Sequence, residues 1–263
     1  MSMPHMHLRP RDLRLKRPFV SALILGLALS VTALGQPVGA ATTDPDLGDA
    51  PASTNNYATN MPLYPMGPFA QFPTVFFANT QPTGPKHFNN PTLYYLGNTS
   101  GTITCETQAD VGPDCDGNVT NIYPPSNAAD RDKGDDGITW PLFSATCQKT
   151  QVRYYVTVLP GAPSTAYVNS WVDWNSNGKW GDIFPCSGLN VDEWIVQNQV
   201  ITFPGPGVYL FSTPGFISTP KTNRPQWARL TLSESPANWT AARFGSGPAS
   251  GWKLGETEDY ILP

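Results

Sequence analysis

The sequence predicts an all-β fold, an antiparallel β-sandwich of jelly-roll-like form with a long, Pro-rich, loop-dominated N-terminal half. Three observations predict it. Proline (28 residues) and glycine (23 residues) are abundant, and they disfavour helices while supplying turns. The second half carries several short β-branched and aromatic runs separated by turn clusters such as Phe203-Pro204-Gly205-Pro206-Gly207, a spacing typical of sandwiches. No amphipathic helical period is evident after the leader.

Residues 1–41 read as a secretory leader. Arg9, Arg11, Arg14, Lys16 and Arg17 precede an apolar run from Phe19 to Leu34, and small residues at Val38-Gly39-Ala40 and Gly39-Ala40-Ala41 offer cleavage sites. The run is short for a membrane span, which needs about 20 residues. The expectation is a cleaved signal and no membrane association afterwards. The leader holds five of the 16 basic residues and one of the 20 acidic ones, leaving 11 and 19, a net of −8. An acidic secreted domain disfavours nucleic acid and anionic membranes as partners.

Residues 42–140 form the loop-rich part, expected to pack on the sandwich. Pro51, Pro62, Pro65, Pro68, Pro73, Pro82, Pro85 and Pro91 interrupt long elements. Short strands are expected at Thr74–Ala78 and Thr92–Leu96. The aromatic content of this part argues for order. Residues 141–263 form the sandwich. Its strands are Val152–Leu159, Tyr167–Trp174, Trp194–Phe203, Gly207–Phe211, Trp227–Ser233 and Thr257–Leu262. Along Tyr167–Trp174, Val168, Ser170, Val172 and Trp174 share one face, and Tyr167, Asn169, Trp171 and Asp173 share the other.

Four cysteines in an exported chain predict two disulfides. Three pairings are possible, of which Cys105–Cys115 with Cys147–Cys186 is favoured. Zinc is disfavoured, because no Cys-x-x-Cys occurs and His87 is the one histidine after the leader.

Acidic groups are the candidate metal ligands. Asp173, Asn175 and Asn177 alternate before Gly178, with Asp182 following. Oxygen ligands spaced two apart before a tight Gly turn can wrap Ca²⁺, as in the first half of an EF-hand loop. The twelfth position is Phe184, so a carboxylate from Asp182 or another strand has to complete the set. A hydrogen-bonded Asx turn explains the same residues. Asp130, Asp132, Asp135 and Asp136 form a second cluster, read as a solvated loop or a cation site. Glu256, Glu258 and Asp259 lie in the terminal strand, with the two glutamates on one face and Asp259 on the other. They either close the Asp173 site or pair with Arg229 or Arg153.

Trp171-Val172-Asp173-Trp174-Asn175 with Gly178, Arg229-Leu230, and Gly255-Glu256-Thr257-Glu258-Asp259-Tyr260 resemble the GEVED domain, with Thr257 in place of the signature's valine. Asp46-Leu47-Gly48-Asp49-Ala50-Pro51 is similar to the Asp-x-Gly-Asp-Ala-Pro box that often precedes that domain. Leu93-Tyr94-Tyr95-Leu96-Gly97 and Asp135-Asp136-Gly137-Ile138 are similar to the segments between. The resemblance implies an extracellular, non-catalytic module of bacterial surface architecture or adhesion, with surface or matrix proteins or polysaccharide as partners.

Carbohydrate binding is the alternative, with Trp180, Trp239 and Trp252 as the exposed stacking faces. An enzyme is not expected. A lone His87 leaves little room for a Ser-His-Asp triad, no Gly-x-Ser-x-Gly elbow occurs, and nothing in the spacing selects a glycosidase carboxylate pair.

Overall fold

A computed structural model describes residues 48–51, 69–74, 76–88, 92–98, 136–139, 146–219 and 226–262. Residues 1–41, read as a leader from the sequence, and Cys105, Cys115, Asp130, Asp132 and Asp135 lie outside the described residues.

The fold is all-β, as the turn-rich composition requires. Its strands are β1 (Tyr94–Leu96), β2 (Ile138–Thr139), β3 (Gln148–Thr150), β4 (Arg153–Val158), β5 (Thr165–Val172), β6 (Ile183–Cys186), β7 (Leu189–Asp192), β8 (Val196–Thr202), β9 (Gly207–Ser212), β10 (Phe216–Ser218), β11 (Gln226–Ser233) and β12 (Gly255–Leu262). A 3₁₀ turn at Thr240–Phe244 is the one helical element among the described residues, and no helix there is long and apolar enough to cross a membrane.

Two larger sheets carry the architecture. One runs β12-β11-β5-β8; in the other, β4 pairs β1, β2 and β9. All these pairings are antiparallel. The hairpin β6-β7 and the pair β10-β3 are separate two-stranded sheets. Because β1 and β2 pair β4, the chain before residue 140 supplies strands to the same sheet as the chain after it. The expected strand at Thr74–Ala78 does not form among its described residues. Instead Thr74 Oγ1 donates to Ala50 O, holding two irregular segments together.

The two larger sheets share one hydrophobic cluster. Tyr94, Leu96, Tyr154, Val156 and Val158 meet Val168, Val172, Leu230, Leu232 and Tyr260. A second cluster lies on the opposite face of the β5 sheet, where Ala50, Ala70 and Phe72 pack with Trp171, Trp180 and Trp227. This explains β5. Its alternation separates Val168 and Val172 from Trp171, yet both sets are buried, because the strand is interior and a loop segment covers its other face.

Cys147–Cys186 is a disulfide, tying the turn before β3 to the end of β6. It closes a loop of 39 residues' separation, which restricts the unfolded chain.

Candidate functional site

The terminal strand gathers three buried carboxylates. Alternation along β12 sends Glu256, Glu258 and Tyr260 toward the shared core and Thr257 and Asp259 toward the loop segment. Glu256 Oε2 accepts the Leu96 N–H at 2.6 Å. Glu258 Oε1 accepts the Asp136 and Gly137 N–H groups, each at 3.0 Å, and its Oε2 meets the Tyr260 hydroxyl in a very short hydrogen bond. Burial pushes the Glu258 carboxyl up to about 8, against the pull of these donors.

On the other face, Asp259 forms a fully buried ion pair with Arg229, the facing residue on β11. Nε reaches Oδ1 at 2.7 Å and Nη2 reaches Oδ2 at 2.6 Å. The remaining guanidinium donors go to Pro73 O, Gly245 O and Thr74 Oγ1. All five N–H donors of the arginine are thereby used, and its flat face lies 4.7 Å over the Trp180 ring. Asp259 Oδ2 also accepts the Ala50 N–H at 2.8 Å. Gly48 and Ala50 thus dock on the last acid of Gly-Glu-Thr-Glu-Asp. A side chain at Gly48, where φ is +109°, would strike Asp259 Oδ2 at 2.7 Å. Gly255 opens the strand at φ +106°, where a Cβ would meet Leu232 O at 1.8 Å.

Thr257, which stands where the signature has valine, uses its hydroxyl. It bonds His87 Nε2 at 3.0 Å and Thr231 Oγ1 at 3.1 Å. His87 Nδ1 meets Leu254 O, and the ring stacks on Trp252. Burial drives the His87 pKa down to about 3, so the imidazole is neutral.

The Asp173 turn is a different acidic cluster. Asp173 Oδ1 and Oδ2 accept the Asn177 and Gly178 N–H groups. Asn175 Oδ1 also accepts from Asn177 N, and Asn177 Oδ1 from Lys179 N. Both Asn amides donate to Asp182 Oδ2, at 2.8 and 2.6 Å. Lys179 Nζ stands 3.7 Å from Asp182 Oδ1 at the surface. Burial raises Asp182, but hydrogen bonds from Asn175 and Asn177 and the charge of Lys179 leave its pKa below the usual value.

Glu193 joins this turn, a residue the spacing does not single out. Its Oε2 accepts Asp182 N at 3.0 Å and its Oε1 accepts Asn175 N at 3.4 Å. Burial first, then the nearby Asp173 and Asp182 charges, push its pKa up to about 8. The β6-β7 hairpin returns it there, with Glu193 N donating to Asp182 O.

The sequence left two roles open for the β12 carboxylates, and Asp259 takes the pairing with Arg229. Glu256, Glu258 and Asp259 do not close the Asp173 turn, because their oxygens hold loop backbone and Arg229. Asp136, the described member of the second acidic cluster, donates its N–H to Glu258, and its side chain crowds Gly97. Among the described residues, no three His, Cys, Asp or Glu side chains stand together as a ready metal site. The tryptophans also differ from expectation. Trp180 and Trp252 are buried and cannot stack on a ligand. Each packs on a partner distant in sequence, Phe72 for Trp180 and His87 for Trp252, and Trp252 also meets the nearby Trp239. Trp239 is half-buried and lines a cleft of about 600 Å³ with Gln71, Gln81, Lys179 and Phe244.

No family model matches the chain, and no curated protein or solved structure is significantly similar to it.

Proposed function

We propose that the chain is a secreted, non-catalytic structural module of the GEVED type, serving bacterial surface architecture or adhesion and stiffened by Ca²⁺. One observation carries the reading. The acidic signature of β12 is spent on the protein's own backbone and on Arg229. A catalytic carboxylate has to face a substrate, whereas these three face loop N–H groups and a guanidinium. The disulfide and the apolar leader support export.

The Asp173 turn supports the Ca²⁺ part. Asp173, Asp182 and Glu193 are linked through one hydrogen-bonded turn with Asn175 and Asn177, and although they do not stand together as a ready site, their oxygens are of the kind hard cations take. Glu193 is held near pKa 8 by burial and its acidic neighbours, a penalty that a bound cation would reverse. Binding requires the two Asn amides to release Asp182 and present their oxygens. Thermal unfolding with Ca²⁺ and with EGTA tests this. A bound ion should raise the midpoint by several degrees, from about 2.7 kcal/mol at a hundredfold excess over Kd. Asp173→Ala should erase the rise, and an unchanged midpoint in the parent protein would rule the ion out.

Polysaccharide binding is the second reading. The cleft at Trp239 and Phe244 favours it, because Phe244 is largely exposed and amides from Gln71 and Gln81 rim it. Quenching of tryptophan fluorescence by polysaccharide, lost in Trp239→Ala, would support it. Fluorescence unmoved across a polysaccharide panel would remove it.

A further inference from the structure

We propose that β9 is an assembly edge, which pairs antiparallel with β9 of a second copy of this chain. The argument begins with the ladder. Tyr155 N donates to Gly137 O, and Gly97 N donates to Tyr155 O. The bonding groups of Tyr155 therefore point toward β1 and β2, and those of its neighbours Tyr154 and Val156 point toward β9. Tyr154 faces Phe211 and Val156 faces Tyr209. Alternation then turns the N–H and C=O groups of Val208 and Leu210 away from the sheet. At the end of the strand, Ser212 O is taken by Gln199 Nε2 at 2.9 Å.

Among the described residues no strand pairs this edge of β9, and such an edge is normally blunted by charge, proline or a bulge. Two edge strands, β8 and β9, differ in that respect. β8 is blunted: its register with β5 shifts between Val168 and Ser170, and Asn198, at φ 51°, uses its side chain to bind both backbone groups of Ala237. β9 is not. It pairs β4 without a break from Gly207 to Ser212, contains no proline, and exposes Val208 (52%) and Leu210 (48%).

Charge selects the partner. From Trp194 to Pro220 the chain has no charged residue, 27 positions in a protein whose exported part is acidic. Two copies repel over most of their surfaces, but not along this strip. Antiparallel pairing is also self-complementary. Val208 of one copy lies opposite Leu210 of the other, and the two-fold axis repeats the contact. Outward N–H and C=O groups meet their equivalents, and the four exposed aliphatic side chains form one row on the joined sheet.

Sedimentation equilibrium of the exported protein tests this. The expected result is a concentration-dependent dimer whose dissociation constant rises about tenfold or more in Leu210→Lys and in Val208→Lys. Both positions are exposed, so the thermal midpoint of the variants at low concentration should match the parent. Hydrogen exchange at the Leu210 amide should slow as the dimer forms. A parent protein that stays monomeric at every concentration would overturn the proposal, including one whose Leu210 amide is protected by its own chain. A dimer indifferent to both lysines would also overturn it.

Discussion

The terminal strand and the Asp173 turn each gather three carboxylates, and they use them in opposite ways. On β12, Glu256, Glu258 and Asp259 are buried among donors: four backbone N–H groups, a tyrosine hydroxyl and Arg229. At the turn, Asp173, Asp182 and Glu193 share N–H groups of the turn itself, with the exposed Lys179 ammonium pairing only Asp182. The first group fastens distant segments to the sheet. The second orders one local loop and leaves a concentration of negative charge. What an acidic cluster does is decided by the donors brought to it, and those come from the fold.

Substitutions break or sharpen this contrast. The largest effect is expected for Arg229→Met, which strands the buried Asp259 charge and should cost about 3–5 kcal/mol in urea unfolding. Adding Asp259→Leu should restore a substantial part, because the desolvation cost leaves with the charge. At the turn the comparable energy comes from a ligand. Saturating Ca²⁺ should add about 2.7 kcal/mol at a hundredfold excess over Kd, read as a raised thermal midpoint that Glu193→Gln reduces. Glu256→Ala removes the acceptor of the buried Leu96 N–H and should cost about 2 kcal/mol. Glu258→Gln should cost under about 1 kcal/mol at pH 7, since a carboxyl titrating near 8 is already mostly protonated there.

The same carboxyls also predict a pH slope. Glu193 and Glu258 titrate near 8 in the folded protein against 4.5 when unperturbed. Between those values the folded state holds more protons than the unfolded one, so stability falls as pH rises through the window. His87 acts oppositely: its folded pKa near 3 lies below 6.5, so its contribution is lost as pH falls from 6.5. Of these groups, only the glutamates act between pH 6.5 and 8, and urea midpoints should decline there. Ca²⁺ at the turn should make the decline shallower by keeping Glu193 ionised.

The regular strands were legible in the sequence. Val152–Leu159, Trp194–Phe203, Gly207–Phe211, Trp227–Ser233 and Thr257–Leu262 each contain a strand or most of one, because β-branched and aromatic runs between turns carry local information. The Cys147–Cys186 bridge was legible too. Strands β3, β6, β7 and β10 were not. They are three or four residues long and partly exposed; β3 and β10 are fixed by long-range pairing, and β6 and β7 by a short hairpin. Burial of Trp180 and Trp252 was equally hidden, since each depends on a segment more than 100 residues away. Glu193 had a faint signal. Reading Cys186-Ser187-Gly188-Leu189 as a hairpin turn would have folded Glu193 back beside Asp182.

The alternation that separates Glu256 and Glu258 from Asp259 was readable, but their partners were not. Leu96, Gly137 and Ala50 lie between about 120 and 210 positions away, beyond any local pattern.

The most direct measurement compares the Ca²⁺-induced rise in the thermal midpoint of Glu256→Gln and of Asp173→Asn with that of the parent protein. If the terminal strand is a fastening and the turn is the cation site, Glu256→Gln unfolds at a lower baseline but keeps the full rise, and Asp173→Asn loses it. A rise lost in Glu256→Gln and kept in Asp173→Asn would contradict that division.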